Sequence, residues 1–119
     1  MHQYFIMVRT QLMKQRSIWL QKIYLLGFNM LKTLEDLVTL ARERKKNPVE
    51  GSYTNKLLED ETLSKEKVLE EIGELIESVE KNTNKIHEAA DVFYHLIMYL
   101  EKSGIKIEDV MEELNSRKK

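Results

Sequence analysis

The sequence predicts an all-α chain, and three observations predict it. One Pro and four Gly in 119 residues leave little to punctuate the chain. Val, Ile and Thr are scattered without the period-two alternation of a half-buried strand. Apolar residues recur instead at three- and four-residue steps between short polar turns, which is the spacing of one helix face.

The first helix is expected over residues 31–45, where Leu31, Leu34, Val38 and Ala41 make an apolar stripe. It should stop at Asn47-Pro48, because the proline ring crowds the preceding residue out of helical backbone. A loop follows through Glu50, Gly51, Ser52 and Tyr53, and residues 54–60 read as a short helical turn. The second long helix is expected over residues 64–81, with Ser64 as N-cap and Val68, Ile72, Leu75 and Val79 as its inward stripe. Lys67 stands at its N3 position, so the reciprocal capping box is absent. Asn82-Thr83-Asn84 is a turn short enough to make the next helix an antiparallel neighbour. That helix, over residues 85–102, ends before Gly104, which suits a left-handed cap position. A last helix, over residues 108–117, carries acids early and Arg117 late, both favourable to the helix dipole. The architecture expected is a bundle of four to five helices.

Two acidic pairs carry the chemistry: Glu71 with Glu74, then Glu88 with Asp91. At i,i+3 spacing on a helix, both carboxylates of a pair face the same way. Four carboxylates converging from neighbouring helices repel unless a cation sits between them, and oxygen-only ligands suit Mg²⁺ or Mn²⁺. The helix bearing Glu88 and Asp91 is apolar over most of its circumference, with Ile86, Ala90, Phe93, Leu96 and Ile97, and should be largely buried. Acids on such a helix have to be paired, protonated or metal-bound, because an unpaired buried charge costs on the order of several kcal/mol. The competing reading is that they meet solvent or a lysine. Glu70, Glu77 and Glu80 point away from the apolar stripe and read as a solvated face. His95 shares the stripe of Glu88 and Asp91 and could ligate, bind phosphate or fill an interface; His2 and His87 carry no signal. Upstream, Arg44, Ser52, Tyr53 and Lys56 supply basic and hydroxyl groups around Gly51, whose freedom permits a turn with N–H groups open to phosphate oxygens.

Composition bounds the function. Net charge is −1, with 33% charged and 42% hydrophobic residues, a globular balance at single-domain length. Residues 1–29 hold Arg9, Lys14, Arg16 and Lys22 and no acid, so the remainder is net acidic. An acidic body argues against a nucleic-acid partner, which wants a basic surface. The uncharged stretch 23–31 is far below the roughly 20 apolar residues a bilayer requires, so no membrane partner is expected. No Cys occurs, which excludes disulfides and thiolate chemistry and fits a cytoplasmic location. Residues 1–29 read as an N-terminal extension, with the functional domain over residues 30–119.

Three stretches resemble a known family. Arg44-Lys-Lys-Asn-Pro-Val-Glu-Gly-Ser-Tyr-Thr-Asn-Lys-Leu-Leu58 looks like the hallmark segment of phosphoribosyl-ATP pyrophosphohydrolase, the second enzyme of histidine biosynthesis. Lys67-Val-Leu-Glu-Glu-Ile-Gly-Glu74 is similar to the family's Lys-Val-Gly-Glu-Glu-x-x-Glu, and Glu88-Ala-Ala-Asp-Val-Phe-Tyr-His-Leu96 to its Glu-Ala-Ala-Asp-Leu-x-Tyr-His-Leu. Gly104-Ile-x-Ile-Glu-Asp-Val110 matches its closing helix. The Glu-x-x-Glu and Glu-x-x-Asp pairs belong more widely to the MazG-like all-α nucleotide pyrophosphohydrolases, whereas Glu50-Gly-Ser-Tyr-Thr54 is specific to the histidine-pathway branch. Leu69 departs from the family's usual Gly, Gly73 from a larger residue, and the link between the second and third long helices is about two residues short.

The resemblance implies a MazG-like bundle whose core is completed by homodimerisation. It implies hydrolysis of phosphoribosyl-ATP to phosphoribosyl-AMP and pyrophosphate. It implies Mg²⁺ held by Glu71, Glu74, Glu88 and Asp91, with Glu70 the least certain contributor and Mn²⁺ as the alternative ion. Glu71 and Glu74 become the candidate catalytic residues, and Arg44, Ser52, Tyr53, Lys56 and Lys67 the candidate phosphate or ribose contacts. Two alternatives stand beside this reading. One is a house-cleaning enzyme of the MazG-like group acting on ordinary or damaged nucleoside triphosphates; the other is a helical dimerisation module whose acids are merely solvated.

Overall fold

The computed structural model describes residues 30–118, and every element in it is helical. Two compact units are distinguished, residues 1–34 and 35–119; the fold described here is that of the second. The expectation of a separate extension over residues 1–29 lies outside the described residues.

Helix α1 (Met30–Lys46) ends where Pro48 requires, with three basic residues in its last turn facing the negative end of the helix dipole. Gly51 takes φ +81° and turns the chain into α2 (Tyr53–Glu59). Ser52 caps α2: its hydroxyl accepts from the Asn55 N–H at 3.2 Å. Helix α3 (Glu61–Lys81) starts three residues before the expected cap. Asp60, not Ser64, is the N-cap, its carboxylate accepting from the Leu63 N–H at 3.0 Å. A charged oxygen at the positive helix end outcompetes a hydroxyl one turn further on.

Both long helices end in paired C-cap bonds around a left-handed residue. After α3, Asn82 (φ 56°) sends its N–H to the Val79 carbonyl and the Thr83 N–H reaches that of Ser78. After α4 (Lys85–Lys102), Gly104 (φ 75°) plays the same part, with bonds to Glu101 and, from Ile105, to Leu100. Asn84 is also left-handed, so the three-residue turn between α3 and α4 folds them back on each other as its length predicts. Helix α5 (Ile107–Ser116) closes the described chain.

The apolar core lies where α1, α2 and α4 meet: Ala41, Leu57, Leu58 and Met98 are buried, with Leu37, Leu63 and Tyr94 packed against them. Each large side chain enclosed there contributes about 1.5–3 kcal/mol. A polar clasp reinforces it. Arg42 on α1 bonds Glu101 on α4 and Glu108 on α5, the latter through two nitrogens at 2.7 and 2.8 Å. Lys45 adds a bond to the Glu101 carbonyl at 2.9 Å.

Two sequence expectations are overturned. The inward face of α3 is not the Val68–Ile72–Leu75–Val79 stripe, since Ile72 and Val79 are exposed. The buried positions are Ser64, Glu71 and Ser78, seven residues apart, flanked by half-buried Val68 and Leu75. The helix is thus rolled by about 60° toward its acids, on a wheel of 100° per residue. Nor is α4 largely buried within the chain: Ile86 is 87% and Phe93 57% exposed, because no element of the described chain covers that flank.

Candidate active site

The roll of α3 carries Glu71 inward. Its side chain is buried, and its Oε2 has no hydrogen-bond partner among the described residues. A carboxylate oxygen withdrawn from water without a donor is costly, and a cation is the ordinary remedy. One oxygen each from Glu70, Glu71 and Glu74 lie within 4.8 Å of one another. Across the α3–α4 seam, His87, Glu88 and Asp91 offer ligand atoms equally close together. Glu74 joins the two groups. The charge of Glu71, loss of hydration and the approach of Glu88 hold its carboxyl above the usual carboxylate range.

The four acids singled out in the sequence therefore sit on the two facing helices, Glu71 and Glu74 on α3, Glu88 and Asp91 on α4. Their oxygen-rich chemistry fits a hard divalent cation. One neighbour went unrecognised. His87, which carried no signal, places its Nε2 3.4 Å from Asp91 and 4.0 Å from Glu88. Its signal is the i,i+4 spacing to Asp91 within the helix expected over residues 85–102. Glu70, read as solvated and as the least certain contributor to a metal site, is exposed and belongs to the α3 triad.

Lys67 and Tyr53 lie beside the acids of α3. Lys67 Nζ bonds Glu70 at 3.0 Å; that bond raises the lysine and lowers the glutamate. Tyr53, at the start of α2, bonds His95 of α4 at 2.9 Å through its hydroxyl. Partial burial raises the Tyr53 phenol, and the nearby Lys67 charge opposes that rise. His95 is itself buried, edge-on to both Tyr53 and Tyr94.

Arg44 reaches from the end of α1 to the Ser52 hydroxyl at 2.7 Å. Ser52 accepts there and again from Asn55, so its own O–H remains free to donate. The loop is held by Asn55, a residue the sequence did not single out. Buried, it accepts from the Val49 N–H at 2.8 Å and donates to the Arg44 carbonyl at 2.9 Å. Lys56 is exposed one turn beyond Tyr53. No helix among the described residues is long and apolar enough to cross a membrane.

A family model described as phosphoribosyl-ATP pyrophosphohydrolase matches residues 34–118. The chain is 38% identical over 95 residues to the phosphoribosyl-ATP pyrophosphatase of Clostridium novyi, an alignment covering 75% of this chain and 84% of the relative. It is 39% identical over 93 residues to the protein of that name from Leuconostoc mesenteroides, with 72% and 77% covered. The match to the histidine biosynthesis bifunctional protein HisIE of Pyrococcus furiosus, 39% over 96 residues, covers 78% of this chain but 43% of that longer protein. No solved structure matches.

Proposed function

The chain belongs to the phosphoribosyl-ATP pyrophosphohydrolase family, and from that premise we propose that it cleaves phosphoribosyl-ATP with water to phosphoribosyl-AMP and pyrophosphate, a step of histidine biosynthesis. The observation that supports this most directly is Glu71: a buried carboxylate oxygen with no partner, among acids drawn from two helices.

Glu71, Glu74, Glu88 and Asp91 would hold Mg²⁺, or Mn²⁺ in its place, with His87 and Glu70 at the margin. When bound, the ion supplies charge neutralisation on phosphate oxygens and a more acidic water. The chain's own residues do the rest. The charge of Glu71 raises the Glu74 carboxyl, which suits it to take the proton of the attacking water. Lys67 offers an ammonium to a phosphate oxygen beside the cluster. The Ser52 O–H and the remaining N–H groups of Arg44 offer further donors, the guanidinium suiting a two-point phosphate contact. Lys56 lies exposed on the same short helix as Tyr53 and supplies positive charge for a polyanionic substrate.

Homodimerisation belongs to the same proposal. Leu69, Ile72, Ile76 and Val79 on α3, and Ile86, Phe93 and Leu96 on α4, remain exposed in the single chain. A second copy would cover them, as contiguous exposed apolar surface calls for a partner. A cytoplasmic setting and the absence of a nucleic-acid partner complete the reading.

The test is an assay of phosphoribosyl-ATP beside common nucleoside triphosphates, with and without Mg²⁺. Metal-dependent release of pyrophosphate from phosphoribosyl-ATP alone is expected. Turnover of ordinary triphosphates with none of phosphoribosyl-ATP would overturn the assignment and leave the house-cleaning reading.

A further inference from the structure

The hydrogen-bond chain through His95 fixes what Tyr53 can do. His95 Nδ1 lies 2.7 Å from the Asp91 carbonyl oxygen. A carbonyl only accepts, so Nδ1 carries a proton. In the neutral imidazole Nε2 then has a lone pair and no proton, and the only hydrogen available at the 2.9 Å contact is that of the Tyr53 hydroxyl. With the ring neutral, the proton of Tyr53 is committed to His95. What remains on the phenol oxygen is a lone pair.

We propose that His95 is a positioning residue that turns Tyr53 into a hydrogen-bond acceptor at the mouth of the acid cluster, selecting a donor group of the substrate, a sugar hydroxyl, and not a phosphate oxygen. Phosphate oxygens at neutral pH are acceptors and would meet lone pair with lone pair. The surroundings agree with this division of labour. Tyr53 is 43% exposed and open to a ligand, whereas His95 is buried and removed from one. Tyr94 steadies the pair, stacked on Tyr53 with ring centroids 6.3 Å apart, edge-on to His95 and bonded through its hydroxyl to buried Thr54. The donors for phosphate lie elsewhere, on Lys67, Arg44 and Ser52. The inference rests on the proposed activity for its substrate, but the tautomer does not.

Two measurements on the full chain test it. Long-range ¹⁵N–¹H correlation of the imidazole at neutral pH should show His95 protonated at Nδ1 and bare at Nε2. A proton on Nε2, alone or with Nδ1 also protonated, overturns the proposal whatever the enzyme hydrolyses. The second compares Tyr53→Phe with the parent. Removing an acceptor for a sugar hydroxyl should raise KM for phosphoribosyl-ATP about tenfold, the fold-change of about 1.4 kcal/mol, with competitive inhibition by inorganic pyrophosphate unchanged. An unchanged KM, or pyrophosphate inhibition weakened in parallel, overturns it. If the parent does not turn over phosphoribosyl-ATP at all, the assigned substrate is wrong, and the spectrum alone decides the state of His95.

Discussion

Glu74 shows how much a single side chain of this site can reveal before any metal is added. Its carboxyl is held above the usual range chiefly by the charge of Glu71. An acid whose folded pKa is raised binds more protons in the folded than in the unfolded chain. Metal-free stability therefore falls as pH rises through the window between the two values. Glu74→Gln removes that loss: metal-free thermal stability near neutral pH should equal or exceed the parent's, while hydrolysis drops at least about a hundredfold, the scale of losing a positioned base. Calorimetry without metal and a turnover assay check both arms, and a variant that hydrolyses at the parent rate sinks the role. Asp91→Asn should likewise lose activity and keep the fold. Adding Mg²⁺ should raise the parent's melting temperature, and Glu71→Gln should abolish that rise, because a ligand stabilises only the state that binds it. At this scale the sequence was most legible where charge met periodicity, as in the i,i+3 acid pairs. His87 went unrecognised, and Asn55 was not legible. Asn55 is one polar residue in a short helix, and only the backbone groups it pairs, at Val49 and Arg44, give it a role.

Element boundaries follow from turn chemistry, and the sequence carried most of it: Pro48, the Asn82–Asn84 turn and Gly104 stand where the helices end. The start of α3 was misplaced because Asp60 and Ser64 are both acceptable caps four residues apart. The two are separable by mutation. Asp60→Ala should cost about 1 kcal/mol for loss of a true cap. Ser64→Ala should be close to neutral or stabilising, since that hydroxyl is buried without a partner. Chemical denaturation measures both, and the reverse order would restore Ser64 as the cap. The roll of α3 was hidden for a different reason. Its apolar residues lie to one side of a polar seam, Ser64, Glu71 and Ser78, and Lys67, Glu70 and Glu74 lie to the other. Hydrophobic periodicity locates the broader apolar side and misses a buried polar one. Between elements, the Arg42 clasp holds Glu108 down to about 2. A depressed carboxyl stabilises above its unfolded pKa, and that contribution is lost as pH falls from about 4.5 to about 2. Glu108→Gln should lower stability at neutral pH and flatten the acid limb of the stability curve by the same amount; an unaltered limb would mean that the ion pair does not form in solution.

At the largest scale, the described fold is shaped by the apolar surface its own helices leave exposed. Its apolar core is confined to the junction of α1, α2 and α4, whereas α3 and α4 send much of their remaining apolar surface outward. The sequence showed that α4 is too apolar to be a surface helix and that so short a chain calls for a second subunit against it; which of its residues stay exposed among the described elements only the structure could show. The proposed homodimer resolves both facts, since an apolar flank at helical spacing on each of two paired helices is the pattern of a helix-packing interface. Ile76 stands between Ile72 and Val79 on the exposed flank of α3 and is 54% exposed, so a change there spares the core of the chain. Ile76→Glu should leave helicity intact but place a charge in the interface, weakening association at least about a hundredfold, the consequence of about 3 kcal/mol lost at an interface centre. Sedimentation velocity across a dilution series should find the parent dimeric and the variant monomeric at micromolar concentration. A parent that is monomeric there, or a variant that remains dimeric, would show that this flank is not the contact between copies, and the outward residues of α3 and α4 would need another partner to explain them.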